Sequence, residues 1–369
     1  MLRNGPGIFN HGETAYKHWF DGDAYIQRYA FRDGNMYYSA RAINSDSHLK
    51  NSKANRIVVG GFGTASFPDP CKNIFQRFFS YFQTEKPTDN AAVSFQELGD
   101  QVYALSEAPV MVPIELDTLD IGNTLYTSES LFSLHTSTAH SHVDENGDVI
   151  NIGTNASHPY DAELLATVDC APEGPCYYHS FGMSEGHFVL LEAPLGINVF
   201  TLAFIYRNAQ DLDDLSLNAI RSQDFFQAAA EKGFIPYPHR LVVPLDIPEG
   251  AKEGENLLKA AGDFAALEFP RYNYERCNDK EYNYQYGIRY YGSAVLNVGH
   301  DMLGVYNEER KAGTWEVDHS DQLTGEPIFV ADPNGKEEDD GVLLVPVLTV
   351  RKGDRPYVAV LDAKTMEER

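Results

Sequence analysis

Short runs of alternating apolar and polar residues, separated by small polar turns, recur along the chain. The runs Tyr25–Tyr29 and Asn35–Tyr38 flank Asp33-Gly34. The runs Val93–Leu98 and Val102–Glu107 flank Gly99-Asp100. Side chains alternate between the two faces of a strand, and Gly and Asp suit tight turns, so antiparallel strands produce this pattern. The sequence therefore predicts a series of β-hairpins.

One predicted hairpin carries two histidines. Val143 and Ile150 flank Asn146-Gly147, a pair typical of type I′ turns because both central residues of that turn need positive φ. Alternation along the strand places His140 and His142 on one face. By itself this spacing is more typical of strand-edge histidines than of ligands, since metal sites need several convergent donors.

Two segments share a faint internal repeat. Val112–Leu119 and Tyr357–Met366 each contain a strand-like run, a Leu-Asp pair, a threonine and then an apolar residue. One helix is predicted over Ser222–Lys232, which ends at Gly233. Repeated hairpins with so little helix favour a β-propeller or a β-sandwich, and the length of 369 residues favours the propeller.

Composition narrows the function classes. The net charge of −25 argues against nucleic acid as a partner, because such binding depends on cationic side chains. No apolar run approaches the roughly 18 residues that span a bilayer, and no leader opens the chain. Four cysteines without zinc or disulfide spacing fit a reducing compartment. We therefore expect a cytoplasmic protein, and its 12% aromatic content suits a large apolar ligand.

Three glutamates stand in apolar or proline-bounded surroundings. They are Glu107, Glu268 and Glu326. A carboxylate in such surroundings needs hydrogen-bond donors, and a metal-bound imidazole supplies one through its second ring nitrogen. His140 and His179 are the histidines in suitable context, although spacing alone leaves their convergence open. The acidic run Glu337–Gly341 misses the spacing of an EF-hand loop and is predicted to be a charged turn.

Six motifs carry a resemblance to a known family. They are Arg3–Gly7, His18–Gly22, Phe67–Asn73, Thr138–His140, His179–Gly182 and Glu337–Gly341. Together they resemble the carotenoid cleavage oxygenases. Phe67–Asn73 points to the animal branch, which includes the β-carotene oxygenases and the retinal pigment epithelium isomerohydrolase. The resemblance runs over nearly the whole chain.

This resemblance implies an all-β fold, a seven-bladed β-propeller with a small cap of helices and loops, formed by residues 1–369 as one domain. It implies Fe(2+) held by four histidines, three of them hydrogen-bonded to glutamates. His140 and His179 match two of the iron ligands, and His142 lies outside the pattern. The three matching glutamates are Glu107, Glu268 and Glu326. A carotenoid or retinoid substrate would then react with O2, without catalytic side chains beyond the metal centre.

The resemblance also bears on membranes. Cys71 and the aromatic run Ile74–Phe82 resemble the patch through which animal members take up lipid substrates, and Cys71 is a candidate acylation site. From its residues alone, the run is equally a buried segment under a loop or a surface that dips into lipid. We expect peripheral contact with intracellular membranes.

Two ligands of the family pattern are absent. After Ile197–Phe200 the chain passes directly to Thr201–Tyr206, without the stretch that holds the third histidine, and the fourth would lie beyond Arg369. The segment expected before Met1 would close the ring of blades. No other histidine has the right motif, and three are predicted to be surface residues: His239, His300 and His319.

These departures predict an incomplete propeller that is inactive, and the chain is then a truncated or alternatively spliced product or the product of an incompletely assigned gene. The alternatives are an iron-free propeller that binds carotenoid or retinoid, an enzyme resembling the retinyl-ester isomerohydrolase, and a scaffold for protein partners. The scaffold is disfavoured because no repeat is regular enough to present a uniform rim.

Overall fold

The computed structural model describes residues 1–73, 75–76, 88–126, 136–154, 165–168, 176–184, 186–190, 195–198, 203–206, 217, 241–242, 255–256, 267–278, 280–289, 294–299, 313–319 and 321–369. These fall into two compact units, one of residues 1–183 and 187–223 and one of residues 184–186 and 224–369. The single-domain organisation stays a prediction. None of the described helices is both long and apolar enough to cross a membrane.

Four-stranded antiparallel sheets contain most of the described strand residues. Two of these sheets lie in the first unit. One consists of β1 (Leu2–Arg3), β2 (Pro6–Ile8), β5 (Asp23–Arg32) and β6 (Asn35–Ala42). The other consists of β7 (Ser94–Leu98), β8 (Gln101–Leu105), β9 (Val110–Ile114) and β10 (Leu125–Tyr126). The other two sheets lie in the second unit. One consists of β21 (Leu267–Arg271), β22 (Tyr284–Arg289), β23 (Ala294–Gly299) and β24 (Thr314–Glu316). The other consists of β25 (Gln322–Thr324), β26 (Ile328–Ala331), β27 (Gly341–Thr349) and β28 (Tyr357–Asp362).

The remaining strands form two-stranded sheets. They are β3 (Asn10–His11) with β4 (Thr14–Ala15), β11 (Thr136–Ser137) with β14 (Gly153–Thr154), β12 (His142–Val143) with β13 (Val149–Ile150), β15 (Gly182–Ser184) with β16 (His187–Val189), β17 (Leu195–Asn198) with β18 (Ala203–Tyr206), and β19 (Leu241–Val242) with β20 (Glu255–Asn256). The described helices are short: a 3₁₀ turn at Trp19–Asp21, α1 (Asp46–Ala54) and α2 (Tyr274–Cys277).

The predicted hairpins around Asp33-Gly34 and Gly99-Asp100 are confirmed. Strands β5 and β6 pair over eight positions, and the two turn residues Asp33 and Gly34 have φ of 51° and 73°. Both values are positive, as a type I′ turn requires. Strand β7 pairs with β8 across a turn in which Gly99 has φ of 59°.

The hairpin β12–β13 is confirmed, but its predicted turn type is wrong. Within residues 144–148, Gly147 alone has positive φ, at 87°. The Asp144 carboxylate accepts the backbone N–H groups of Asn146 at 2.9 Å and of Asp148 at 2.8 Å. A side chain that replaces backbone turn bonds in this way stabilises a longer loop, in which Asn146 keeps an ordinary backbone conformation.

The faint internal repeat has a structural counterpart. Leu119 and Met366 are both buried and both have positive φ, at 57° and 61°. Each donates its N–H to the carbonyl four residues earlier, at 2.7 and 2.9 Å. Thr118 and Thr365 each accept the N–H two residues later, at 3.2 and 3.3 Å. The same cap therefore ends a strand in each of the two units.

Each unit has its own apolar core. In the first unit it is formed by Ala24, Ile26, Ile43, Ala91, Ala92, Ala104, Val112, Ile114 and Leu119. In the second it is formed by Tyr286, Ile288, Val295, Leu343, Val345, Val347, Ala359, Leu361, Ala363 and Met366. Alternate residues of β27 and β28 supply half of the second core, as the period of a strand requires. The predicted helix Ser222–Lys232 and most of the run Ile74–Phe82 lie outside the described residues.

Candidate metal centre

Three segments of the first unit meet at the predicted ligands. Glu107 follows β8 by two residues, His140 follows β11, and His179 precedes β15. The backbone N–H of Ser137 donates to the carbonyl of Glu107 at 3.1 Å, which joins the first two segments. Residues distant in the sequence are therefore brought together by backbone pairing.

Thr138 fixes the two histidine segments against each other. Its side chain is buried, and its hydroxyl donates to the carbonyl of His179. The same oxygen accepts the backbone N–H of His140 at 3.0 Å, and the side-chain amide of Asn151 donates to the Thr138 carbonyl at 2.9 Å. One small side chain thus sets the positions of both histidines.

The two imidazoles face each other through the same ring atom. The Nε2 atoms of His140 and His179 are 3.1 Å apart, and the ring centroids are 4.5 Å apart with the planes at 64°. Two nitrogens about 2.1 Å from one ion and at right angles to each other lie about 3.0 Å apart. This contact is a hydrogen bond between the rings. Neutral imidazole pairs at this distance fit a transition-metal ion.

Glu107 determines which nitrogen of His179 is available. A carboxylate oxygen, Oε1, lies 2.9 Å from Nδ1 of His179 and accepts a hydrogen bond from the N–H group there. The proton on Nδ1 leaves the lone pair of Nε2 directed at His140. Burial raises the pKa of Glu107, but the hydrogen bonds from His179 and Tyr177 and the charge of His179 outweigh burial and hold that pKa below its usual value.

Tyr177 is a member of the site that the sequence did not reveal. Its hydroxyl donates to Oε1 of Glu107 at 2.9 Å and lies 2.8 Å from Nδ1 of His179. Burial, followed by the charge of Glu107, raises the pKa of Tyr177, so the hydroxyl stays protonated and remains a donor. The available signal was its position two residues before His179, which places both side chains on one face of an extended segment.

The other two predicted glutamates lie in the second unit. Glu268, on β21, is half-buried, and burial raises its pKa despite a backbone hydrogen bond from Phe269. Glu326 follows β25, and its Oε1 lies 2.6 Å from Nε of Arg271. That these two carboxylates support metal-bound histidines stays a prediction.

The remaining predicted residues lie elsewhere. His142 contacts the carbonyl of Phe181 through Nε2 at 2.8 Å, so it is tied to the backbone of a neighbouring segment, as expected for a histidine outside the ligand set. His319 is exposed, whereas His239 and His300 lie outside the described residues. Cys71 is exposed and has a free thiol.

Comparisons with known proteins agree over the full chain. The family described as retinal pigment epithelial membrane protein (RPE65) matches residues 1–211 and 199–369. The Homo sapiens beta,beta-carotene 15,15'-dioxygenase is 29% identical, with 100% of this chain and 86% of that protein aligned. The Gallus gallus protein of the same name is 30% identical, with 100% of this chain and 89% of that protein aligned.

Solved structures show the fold. A Synechocystis ACO mutant has a TM-score of 0.73 at 17% identity, with 99% of this chain and 87% of that chain aligned. A cobalt-substituted Synechocystis ACO has a TM-score of 0.66 at 17% identity, with the same shares aligned. These structures are seven-bladed β-propellers, so the predicted fold class is confirmed. The chain belongs to the carotenoid cleavage oxygenase family.

Proposed function

We propose that the ancestral activity of this protein is that of a non-haem Fe(II) dioxygenase. Such an enzyme cleaves a conjugated double bond of β-carotene or a related carotenoid to apocarotenal products. The observation that carries the proposal is the pair of Nε2 atoms, 3.1 Å apart, with Glu107 holding one imidazole in the ligating tautomer. Membership of the family supports it, as do relatives named as carotene dioxygenases.

Each side chain has a limited task in this proposal. His140 and His179 would hold the iron as neutral donors, and iron bound in this way supplies a centre for O2 chemistry. Glu107 and Tyr177 keep the proton of His179 on Nδ1. The chain then contributes positioning of an apolar polyene rather than acid-base catalysis.

Two histidines hold a metal weakly. Metal centres in proteins nearly always use three or more protein donors, and losing even an outer hydrogen-bond partner costs ~10–100-fold in affinity. The alignment with the human relative is 480 positions long, whereas this chain has 369 residues, so that relative has stretches without a counterpart here. We therefore expect weak iron binding and no cleavage by this chain.

Iron titration of the purified chain tests the position of the iron site and its expected weak affinity. Fe(II) is added anaerobically to the wild-type protein, His179→Ala and the control His142→Gln, and bound iron is measured after gel filtration. We expect weak binding that His179→Ala reduces and His142→Gln preserves. Equal iron binding by all three proteins would contradict the assignment of the site.

Product analysis separates the alternatives. β-Carotene and a retinyl ester are supplied in detergent micelles with Fe(II) and O2, and the products are identified by chromatography. Uncleaved carotenoid that co-purifies with iron-free protein would favour a binding function. Apocarotenals formed with near-stoichiometric iron would refute the predicted inactivity, and isomerised retinol would favour the isomerohydrolase alternative.

A further inference from the structure

A second group of metal-ligating side chains lies in the first unit and shares no residue with the centre around His179. His11 on β3, Asp23 at the start of β5 and His48 on α1 each offer one donor atom, and all three donors lie within 4.8 Å of one another. We propose that these three residues form a binding site for a divalent transition-metal ion such as Zn2+.

The donor geometry supports a single ion. Oδ2 of Asp23 lies 2.7 Å from Nε2 of His11 and 2.7 Å from Nδ1 of His48. Ligands about 2.0–2.2 Å from one ion lie roughly 3.0–3.5 Å apart, so each nitrogen needs to move away from the carboxylate by less than 1 Å. Two imidazoles and one carboxylate, with a position left for water, form a donor set that binds zinc and its first-row neighbours.

Hydrogen bonds already orient the ligands. Oδ1 of Asp23 accepts the hydroxyl of Tyr16 at 2.9 Å, and the amide of Asn51 donates to that hydroxyl at 2.9 Å. The hydroxyl of Ser52 lies 3.4 Å from Nε2 of His48, the ring nitrogen that would carry the proton when Nδ1 binds metal. Such outer partners fix ligand orientation at metal sites.

Charge and burial also suit a cation. Asp23 and His11 are buried, and the side chain of His48 is 15% exposed, which leaves one side of the group near solvent. Each imidazole would bind the ion through the ring nitrogen that faces Asp23, and the ion would bring two positive charges next to that carboxylate.

Zinc binding tests the proposal in a background that lacks the other centre. The double variant His140→Ala/His179→Ala, made in the full chain, is dialysed against Zn2+, and bound zinc and the thermal midpoint are measured. We expect about one zinc per chain and a raised midpoint. Adding His48→Gln should weaken zinc binding by about 100-fold, whereas the control His319→Gln, at an exposed histidine, should not change it.

A direct readout covers the case in which a variant misfolds. X-ray absorption of zinc bound to the His140→Ala/His179→Ala protein should show two imidazole ligands and additional oxygen. Absence of zinc binding, zinc retained after His48→Gln, or a spectrum without imidazole scattering would each overturn the site. None of these outcomes depends on iron or on carotenoid cleavage, so failure of the zinc site would not contradict the proposed function.

Discussion

The hydroxyl of Tyr177 is the smallest group whose removal should change the metal centre. Tyr177→Phe keeps the ring but removes the bond to Glu107 and the contact with His179. Outer partners of this kind alter metal affinity by about 10–100-fold. We expect the iron dissociation constant to rise by about 10-fold, measured by anaerobic titration. Tyr178→Phe is the matched control, and an equal effect there would argue against a specific role.

Glu107 should make stability depend on pH in a defined direction. Its folded-state pKa lies below its ordinary value of 4.5, so its contribution is fully present above that value and is lost as the pH falls through the lower folded pKa. In metal-free protein, Glu107→Gln should lower the unfolding free energy by on the order of 1 kcal/mol at pH 6.

The difference from wild type should shrink as the pH falls below about 4.5, in urea denaturation followed by fluorescence. Glu97→Gln, at an exposed carboxylate on β7, serves as the control. A difference between Glu107→Gln and wild type that stays constant with pH would show that packing, rather than charge, holds Glu107.

At the scale of elements, Thr138 joins two segments that the sequence keeps far apart. Thr138→Val keeps the shape of the side chain but removes the donor to the His179 carbonyl and the acceptor for the His140 N–H. A buried polar group left unpaired costs about 1–3 kcal/mol. We expect a loss of that size in chemical denaturation, together with weaker iron binding. If iron binding is unchanged, Thr138 contributes to stability but does not set the positions of the two histidines.

The turn between β5 and β6 requires glycine for conformational reasons alone. Gly34 has φ of 73°, and nothing lies within 4 Å of a Cβ built on it. Gly34→Ala should therefore destabilise by about 1–2 kcal/mol through backbone strain. Gly5 also has open space around it but has no positive φ, so Gly5→Ala is the control. Equal effects in denaturation would contradict this explanation.

Hairpins could be predicted because alternation and turn residues are local signals. The turn at Asn146-Gly147 was mispredicted because Asp144, two residues away, supplies its own side-chain bonds. The repeat was found, and its threonine and apolar positions coincide in the two caps, but its Leu-Asp pairs do not. The hydrogen bonds of the two caps place Glu115, not Asp117, opposite Asp362.

The pair His140 and His179 was predicted from the family resemblance, since no spacing rule connects residues on separate segments. Their 3.1 Å contact depends on Thr138, whose role becomes visible only when the chain is folded. The roles of Tyr177 and of the group around Asp23 depend in the same way on contacts between distant segments. Local patterns therefore predicted the strands. The sites depend on long-range contacts, which local patterns do not reveal.

At the scale of the whole molecule, an exposed apolar surface lies near the 3₁₀ turn at Trp19–Asp21. Such a surface matters because a protein meets an apolar substrate in a lipid phase. Phe20 and Phe62 are 55% and 38% exposed, their rings lie 6.2 Å apart, and both rings contact His18. Trp19 is also exposed, at 45%. Adjacent exposed aromatic side chains favour contact with a lipid surface. We propose that this surface contributes to membrane contact in addition to the patch expected at Cys71 and Ile74–Phe82.

The net charge of −25 sets which lipids the protein should prefer. Anionic headgroups repel such a chain at low salt, so we expect co-sedimentation with neutral phosphatidylcholine vesicles and less with vesicles rich in phosphatidylserine. Burying one phenylalanine contributes about 1.5–3 kcal/mol, so Phe20→Ser/Phe62→Ser should reduce the vesicle-bound fraction at least about 10-fold. Phe31→Ser/Met36→Ser removes a comparable exposed pair from β5 and β6 and is the matched control. Equal losses in both double variants would indicate non-specific adhesion, because only the first pair belongs to the surface around His18.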